Sequence, residues 1–424
     1  MRFLGVLFFL LATTVNTWAE DLRIDAIVFK GNEKTKAETM LQELTFSEGD
    51  TVTERQLVHG RQAIMDLGLF KRVTAELVGQ SDGGYTWLLT VIEKRYLLVL
   101  PRLSRSGDGD WSYGARIRFD NLAGRNRHMD LGYRRKDLKN SDIQQEDRLQ
   151  FRYRLPRIFG SDFDVAFDAR TEDIEIDEER GDLSGRYEQK LDSARFSVSR
   201  WLRPRGPSQG WLVRAMLKYA DYENDFLDGD PGLFFDATIV ETTLGVEFRQ
   251  VHDLLYSRSG RHFGYNILLS SDSMGSDVSF TRHSAFYRRY KPLKYRKHTN
   301  FNYQLRYLTS SGSIFGDPSY SLGGNSTLRG YDRESQEGES AFMANLEFLS
   351  PIFGHNTLRG SLFMDVAGAF EDKADFDSSD LVVGVGFGLL YKLRSFVKTD
   401  LRLDVAYGIE DGETKVYGST ETAF

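Results

Sequence analysis

The residues best equipped for chemistry lie in the last quarter of this 424-residue chain. The stretch Ser321–Ser335, SLGGNSTLRGYDRES, passes from Gly323-Gly324 to Leu328-Arg329-Gly330-Tyr331 and then into charged residues. Arg329 carries a planar fork of donors that can hold a carboxylate bidentately. Gly330 permits a sharp turn beside it, and Tyr331 offers an aromatic ring to a packed wall. Further on, Gly384, Gly386 and Gly388 imitate a nucleotide-binding loop, but that fingerprint needs a helix opening at the glycines, and none follows. Seven histidines are scattered through the chain without metal-ligand or Ser/His/Asp spacing, and there are no cysteines. We therefore expect no enzyme, no metal and no cofactor.

These residues belong to strands. Read at period two, Leu381, Val383, Val385, Phe387, Leu389 and Tyr391 share one face, and Gly384, Gly386 and Gly388 the other. A face stripped of side chains suits close approach by another backbone or side chain, or relieves curvature. The same alternation turns Leu362, Met364 and Val366 one way and Phe363 and Asp365 the other. It also sets Asn345 and Glu347 opposite Phe342, Ala344, Leu346 and Phe348, and Arg402 and Asp404 opposite Leu401, Leu403, Val405 and Tyr407. A carboxylate facing lipid at mid-membrane depth is costly, so Glu347, Asp365 and Asp404 are predicted to point into a lumen.

Composition supports that setting. Arg2, the apolar run Phe3–Ala12 and Thr17-Trp18-Ala19 read as an export signal over residues 1–19. The chain holds 30 Phe and 20 Tyr, yet its mean hydropathy is −0.42. An exported, aromatic-rich and hydrophilic chain suits a transmembrane β-barrel, in which only alternate residues meet lipid. The net charge of −7 argues against nucleic acid as a partner.

Two regions differ in period. Residues 20–95 mix strands and helices as β-α-α-β-β: Leu22–Val28 alternates, Thr35 is placed to cap a first helix, and Thr53 with Gln56 resembles a capping box on a second. From Tyr96 the period is two, with sixteen strand candidates beginning near residues 96, 110, 126, 146, 161, 187, 209, 238, 260, 278, 296, 340, 358, 380, 397 and 413. An even count permits a closed antiparallel barrel over residues 96–424. Alternate connections are short; the others are longer and mostly acidic. Thr171–Arg186, expected as such a loop, holds seven acidic against two basic residues.

The first region resembles a POTRA domain, through Phe29-Lys30-Gly31-Asn32, Glu48-Gly49-Asp50, the run Leu67–Val73 and Val91-Ile92-Glu93-Lys94. The barrel resembles the outer-membrane assembly and translocation superfamily that includes BamA, TamA and the two-partner secretion translocators. Its [V/L]-R-G-[F/Y] loop tip is matched by Leu328-Arg329-Gly330-Tyr331. Its F-x-D-x-G strand motif is matched at Phe363 and Asp365, but Ala367 stands where the family has glycine. The resemblance implies that the sixth surface loop folds into the lumen and that Arg329 pairs with Asp365, with Glu347 second and Asp404 also available. Gly384, Gly386 and Gly388 would bed the tip. It also implies a short, single-POTRA member in the outer membrane of a Gram-negative-type bacterium, with the POTRA domain in the periplasm. Its partners would be the lipid bilayer, client outer-membrane or secreted polypeptides and a periplasm-spanning protein. Phe424 would end the last strand as an assembly signal. The alternative function is a transporter or pore for lipid or a secreted partner.

Overall fold

The computed structural model describes residues 21–81, 83–105, 111–137, 145–180, 182–202, 206–312, 319–371 and 376–420. The expected export signal and Phe424 lie outside the described residues. The N-terminal unit runs β1 (Leu22–Lys30), α1 (Ala37–Leu41), β2 (Thr51–Val52), α2 (Glu54–Asp66), β3 (Phe70–Gly79) and β4 (Tyr85–Glu93). Its sheet has the order β2-β1-β4-β3, with β1 parallel to β4. Ile24, Met40, Ile64, Leu69, Phe70, Trp87 and Leu89 are buried between sheet and helices. Each such side chain contributes roughly 1.5–3 kcal/mol.

Local chemistry accounts for most of these boundaries. The Thr53 hydroxyl accepts from the Gln56 amide while the Gln56 side chain accepts from the Thr53 amide, completing the capping box that starts α2. Gly68, at φ +75°, ends it. Two expectations fail. The pair Thr51–Val52 forms a short strand on β1 that periodicity cannot reveal in two residues. Thr35 caps nothing: Lys36 is the N-cap of α1, without a side-chain bond. The Thr35 hydroxyl instead meets Tyr96 Oη at 2.9 Å and accepts from Asn121 Nδ2 at 2.8 Å, tying the unit to the barrel.

Sixteen strands then form one antiparallel sheet. The first eleven are β5 (Leu97–Arg105), β6 (Trp111–Leu122), β7 (Arg127–Asp137), β8 (Gln145–Leu155), β9 (Phe163–Arg180), β10 (Leu183–Trp201), β11 (Gly210–Gly229), β12 (Ala237–Asp253), β13 (Arg258–Ser270), β14 (Phe280–Pro292) and β15 (Asn300–Ser311). A small hairpin, β16 (Tyr320–Leu322) with β17 (Gln336–Gly338), lies inside the sixth long connection. The sheet resumes with β18 (Ser340–Ile352), β19 (His355–Phe370), β20 (Val382–Lys392), β21 (Asp400–Gly408) and β22 (Thr414–Ser419). Every predicted strand start lies within four residues of an observed one. The acidic stretch Thr171–Arg186 is not a loop. Its residues extend β9 and β10 in register, because Ile176 and Tyr187 pack with Tyr222, Leu233 and Phe234 in a small core of their own.

Strand alternation sorts the two faces. Leu149, Phe167, Phe196, Trp211, Leu217, Leu244, Leu362, Phe387 and Leu403 are all exposed, as a lipid-facing band requires. The residues between them face the lumen; many are polar or small, such as Asp365, Gly388 and Asp404, and some are apolar, such as Phe363 and Met343. Non-glycine residues at positive φ concentrate at or beside the short turns (Asn121, Ala123, Asn126, Arg157, Phe159, Leu255, His298, Phe353 and Lys398), where the chain reverses tightly.

The α+β unit docks on this short-turn end. Glu43, buried, accepts from Arg157 Nε at 2.9 Å and from the Ser208 amide at 2.7 Å; burial pushes its carboxyl up, against the pull of Arg157. Asp66 accepts from Gln209 Nε2 at 2.7 Å and the Asp253 amide at 2.8 Å, and meets His252 Nδ1 at 2.8 Å. Lys94 donates to the Gly68 carbonyl at 2.8 Å, and burial pushes its ammonium down to about 8. Gly124 has no room for a side chain, since a Cβ would lie 2.2 Å from the Lys34 carbonyl oxygen.

The two end strands behave differently. Near the docked unit the first and last parts of the chain are linked, Arg95 just before β5 bridging to Phe396 between β20 and β21, and Arg118 of β6 donating to Thr399 Oγ1 just before β21 at 2.8 Å. Among the described residues, β5 pairs only with β6 and β22 only with β21. Among the described residues, therefore, the seam carries no ladder.

Candidate functional site

Register brings the inward residues of β18 to β22 into rows. Asn345, Asp365, Gly384 and Gly408 stand side by side, with Glu347, Phe363, Gly386 and Ala406 in the next row and Ser361, Gly388, Asp404 and Tyr417 beyond it. The loop between β15 and β18 folds onto these rows. Gly323, at φ +139°, makes its entry possible: a Cβ there would lie 1.7 Å from the Asp332 carbonyl oxygen. Thr327 fixes the turn by donating to the Gly323 carbonyl at 2.7 Å and accepting from its amide at 2.8 Å. The Gly324 amide donates to the Tyr331 carbonyl at 3.1 Å, closing the tip.

Leu328, Arg329 and Tyr331 are each no more than 1 % exposed. Leu328 and Tyr331 pack with Leu322, Ala341, Met343 and Ala367. Ala367, where the strand motif departs from the family pattern, thus supplies a methyl to the seat of the tip.

Arg329 grips Asp365 twice, Nε to Oδ2 at 2.6 Å and Nη2 to Oδ1 at 2.8 Å, and its amide donates to the same carboxylate at 3.2 Å. Its remaining nitrogen, Nη1, reaches Asp404 at 3.2 Å, while Glu347 is 4.0 Å away. The expected order of secondary partners is therefore reversed. Glu347 is instead engaged by Arg402 Nη2, and Arg402 Nε also holds Asp404 at 2.5 Å. The guanidinium carbon lies 3.5 Å above the centroid of the Phe363 ring, a cation–π contact. Asn345 donates to Asp365 at 2.9 Å and to the Thr327 carbonyl at 3.0 Å. Three carboxylates face two guanidiniums in a site where all five are 5 % exposed or less.

The three glycines have separate tasks. A Cβ at Gly384 would lie 1.9 Å from the Arg329 carbonyl oxygen, so Gly384 receives the tip itself. At Gly386 it would strike the Phe363 ring at 2.5 Å, and at Gly388 the Asp404 carboxylate at 1.9 Å. Those two make room for side chains that hold the arginine.

Sequence reasoning missed the contacts to the last strand. Gly330 donates to Tyr417 Oη at 3.1 Å, and that hydroxyl donates to the Tyr331 carbonyl at 3.2 Å. Lys415 pairs with Asp332 at 2.8 Å. The Tyr331 hydroxyl lies 3.0 Å from the Val383 carbonyl and beside the Glu410 carboxylate. Tyr417 alternates inward from Val416, a signal that was available; its partner was not.

Comparison with known proteins bears on this arrangement. Residues 104–415 match the family model of the Omp85 superfamily domain, and residues 22–91 match that of the POTRA, or surface antigen variable number, repeat. Among solved structures, CdiB from Escherichia coli superposes with a TM-score of 0.66 at 14 % identity, covering 94 % of this chain and 75 % of that one. CdiB from Acinetobacter baumannii gives 0.61 at 15 %, covering 94 % and 73 %. BamA from Haemophilus ducreyi lacking POTRA domains 1–3 gives 0.53 at 15 %, covering 94 % and 84 %. A search of the curated proteins finds no sequence relative of the chain.

Proposed function

The chain belongs to the Omp85 superfamily, as an outer-membrane β-barrel with one periplasmic POTRA domain, and from that premise we propose that it assists the insertion, assembly or translocation of client polypeptides at the outer membrane. The observation that carries this proposal is the seam. β5 and β22 leave their outer backbone groups without a ladder among the described residues, and such edges accept an added strand. The loop tip holds β22 through Tyr417 and Lys415. Arg329 thus acts as the fixed point from which the last strand is tethered, and the bond network sets how readily the seam parts.

The POTRA domain supplies a second edge. In the order β2-β1-β4-β3, β3 has no neighbour on one side among the described residues, and Leu77 and Val78 on it are exposed. A client strand arriving in the periplasm of a Gram-negative-type cell would pair there before reaching the seam. No catalytic residue is needed for such a role.

The test is quantitative outer-membrane proteomics with lipid analysis, comparing a deletion strain with its parent. Loss of particular folded barrels or of one secreted protein, with lipids unchanged, is expected and would name the clients. Unchanged barrels and secreted proteins with altered lipid asymmetry would replace this role with lipid transport.

A further inference from the structure

The lipid-facing band ends on a cation at the short-turn end of the barrel. On β7, Leu131 and Tyr133 are exposed to lipid. Met129 pairs across with Tyr153, and Tyr133 with Leu149, on β8. The same alternation puts Arg127, the first residue of β7, on this outer face. Arg127 therefore stands where the membrane meets the periplasm, beside the docked α+β unit.

There it lines a recess with Arg125, Leu155 and Phe159 from the barrel and Glu38 and Gln42 from α1. The helix is close on this side. Thr39 donates to the Gly124 carbonyl at 2.9 Å, and Gln42 Nε2 would lie 3.5 Å from a Cβ at Gly160. The enclosed volume is about 40 Å³, room for one small polar group and not for an acyl chain. Among the described residues, the side chains of Arg125 and Arg127 make neither a hydrogen bond nor an ion pair. Arg157 beside them is committed to Glu43 at 2.9 Å. Lys36 adds a further positive charge, since its Cγ would lie 3.2 Å from a Cβ at Gly124, the neighbour of Arg125. Against these three cations the recess offers one carboxylate, Glu38.

Phe159 shows which medium the recess opens to. It is 98 % exposed and held at φ +53°, a conformation that bulky residues rarely adopt. An apolar ring so presented gains nothing from water, but at the edge of the lipid band it joins the aromatic girdle of a membrane barrel. Phe163, next along the same rim, carries the Arg200 guanidinium 5.2 Å above its ring, so cations and aromatics alternate there.

We propose that this recess binds the phosphate of an anionic phospholipid of the periplasmic leaflet, with Arg125 and Arg127 as its donors and Phe159 lying against the lipid's first methylenes. Guanidinium forks suit phosphate oxygens, and basic clusters at a membrane surface recognise anionic headgroups. Because α1 belongs to the POTRA domain and Arg127 to the barrel, the lipid bridges the two. The site is remote from the Arg329 cluster and stands whichever client or substrate the barrel handles.

The test is native mass spectrometry of the purified full-length protein in detergent micelles, titrated with dioleoyl phosphatidylglycerol or dioleoyl phosphatidylcholine. Tighter binding of phosphatidylglycerol is expected, weakened about tenfold in Arg125→Gln/Arg127→Gln, which should then hold the two lipids alike. Arg333→Gln, on the exposed side of the loop, should bind as the parent does. Folding is checked by heat-modifiable electrophoretic mobility, and Arg125→Gln alone serves if the double variant does not fold. Equal binding of the two lipids by the parent protein, or undiminished phosphatidylglycerol binding by the arginine variants, would overturn the proposal. Displacement of phosphatidylglycerol by an equal concentration of inorganic phosphate would also overturn it, by making free phosphate the occupant.

Discussion

Replacing Arg329 by alanine is the most informative single perturbation. The substitution removes two short bonds to Asp365, at 2.6 and 2.8 Å, and leaves that carboxylate with only the residue 329 amide and Asn345. Asp365 is 0 % exposed, so water cannot replace the lost donors while the tip stays in place. The five ionised groups, three acidic and two basic, sum to −1 before the change and −2 after it. Stranding one partner of a buried ion pair costs about 3–5 kcal/mol, and the lost contact over Phe363 falls within that figure. The tip can limit the cost by leaving the lumen, in which case Tyr417 loses its partner and the loop becomes open to protease. The assay is urea unfolding of the purified protein in micelles, followed by tryptophan fluorescence and heat-modifiable mobility, beside limited proteolysis. Arg333→Ala is the matched control. Asp404→Asn sharpens the test, because it brings the cluster to neutrality and should cost less than half as much. If Arg329→Ala lies within about 0.5 kcal/mol of Arg333→Ala, with no new cleavage in the loop, the buried-pair account is wrong.

Three further outcomes are expected. Gly384→Ala should destabilise the barrel by about 1–3 kcal/mol through overpacking against the Arg329 carbonyl, whereas Gly418→Ala, with nothing within 4 Å of its Cβ, should be neutral by the same unfolding measurement. As pH rises from about 8, the value of Lys94 in the folded chain, toward its ordinary 10.5, the unfolded chain keeps a proton that the folded chain has released. Stability from this group therefore rises over that window, and Lys94→Met should abolish the rise; an unchanged pH slope in the variant would contradict it. Hydrogen exchange should find the seam-facing amides of β5 and β22 among the fastest in the barrel, and Tyr417→Phe should speed those of β22 further. Protection equal to that of β13 would mean that the seam is closed.

The strands of the barrel were legible because their cause is local. Alternation of lipid-facing and lumenal residues is written at period two, so the faces of Leu362, Asp365, Phe387 and Asp404 could be assigned without any knowledge of neighbours. The capping box at Thr53 and Gln56 is equally local. Where a third element competes for a side chain, the sequence misleads. Thr35 has the residue type and position of a cap, but Tyr96 and Asn121 offer its hydroxyl buried partners 61 and 86 residues away. The acidic run after Thr171 resembles a solvated loop because the apolar cover for Ile176 and Tyr187 comes from Leu233 and Phe234, far along the chain.

The same division holds at the site. Sequence alone determined that Arg329 sits at a glycine-bracketed tip and that three carboxylates and a glycine face point inward. Only the tertiary structure decided which carboxylate takes which nitrogen. Strand register places Asp365 beside Gly384, where the tip enters, and Asp404 beside Gly388, where a side chain has room. Register is a relation between strands, fixed by closing the whole sheet, and no single strand carries it. The docking of Glu43 and Asp66 under the barrel arises in the same way. It depends on surfaces of two domains that are far apart in the sequence.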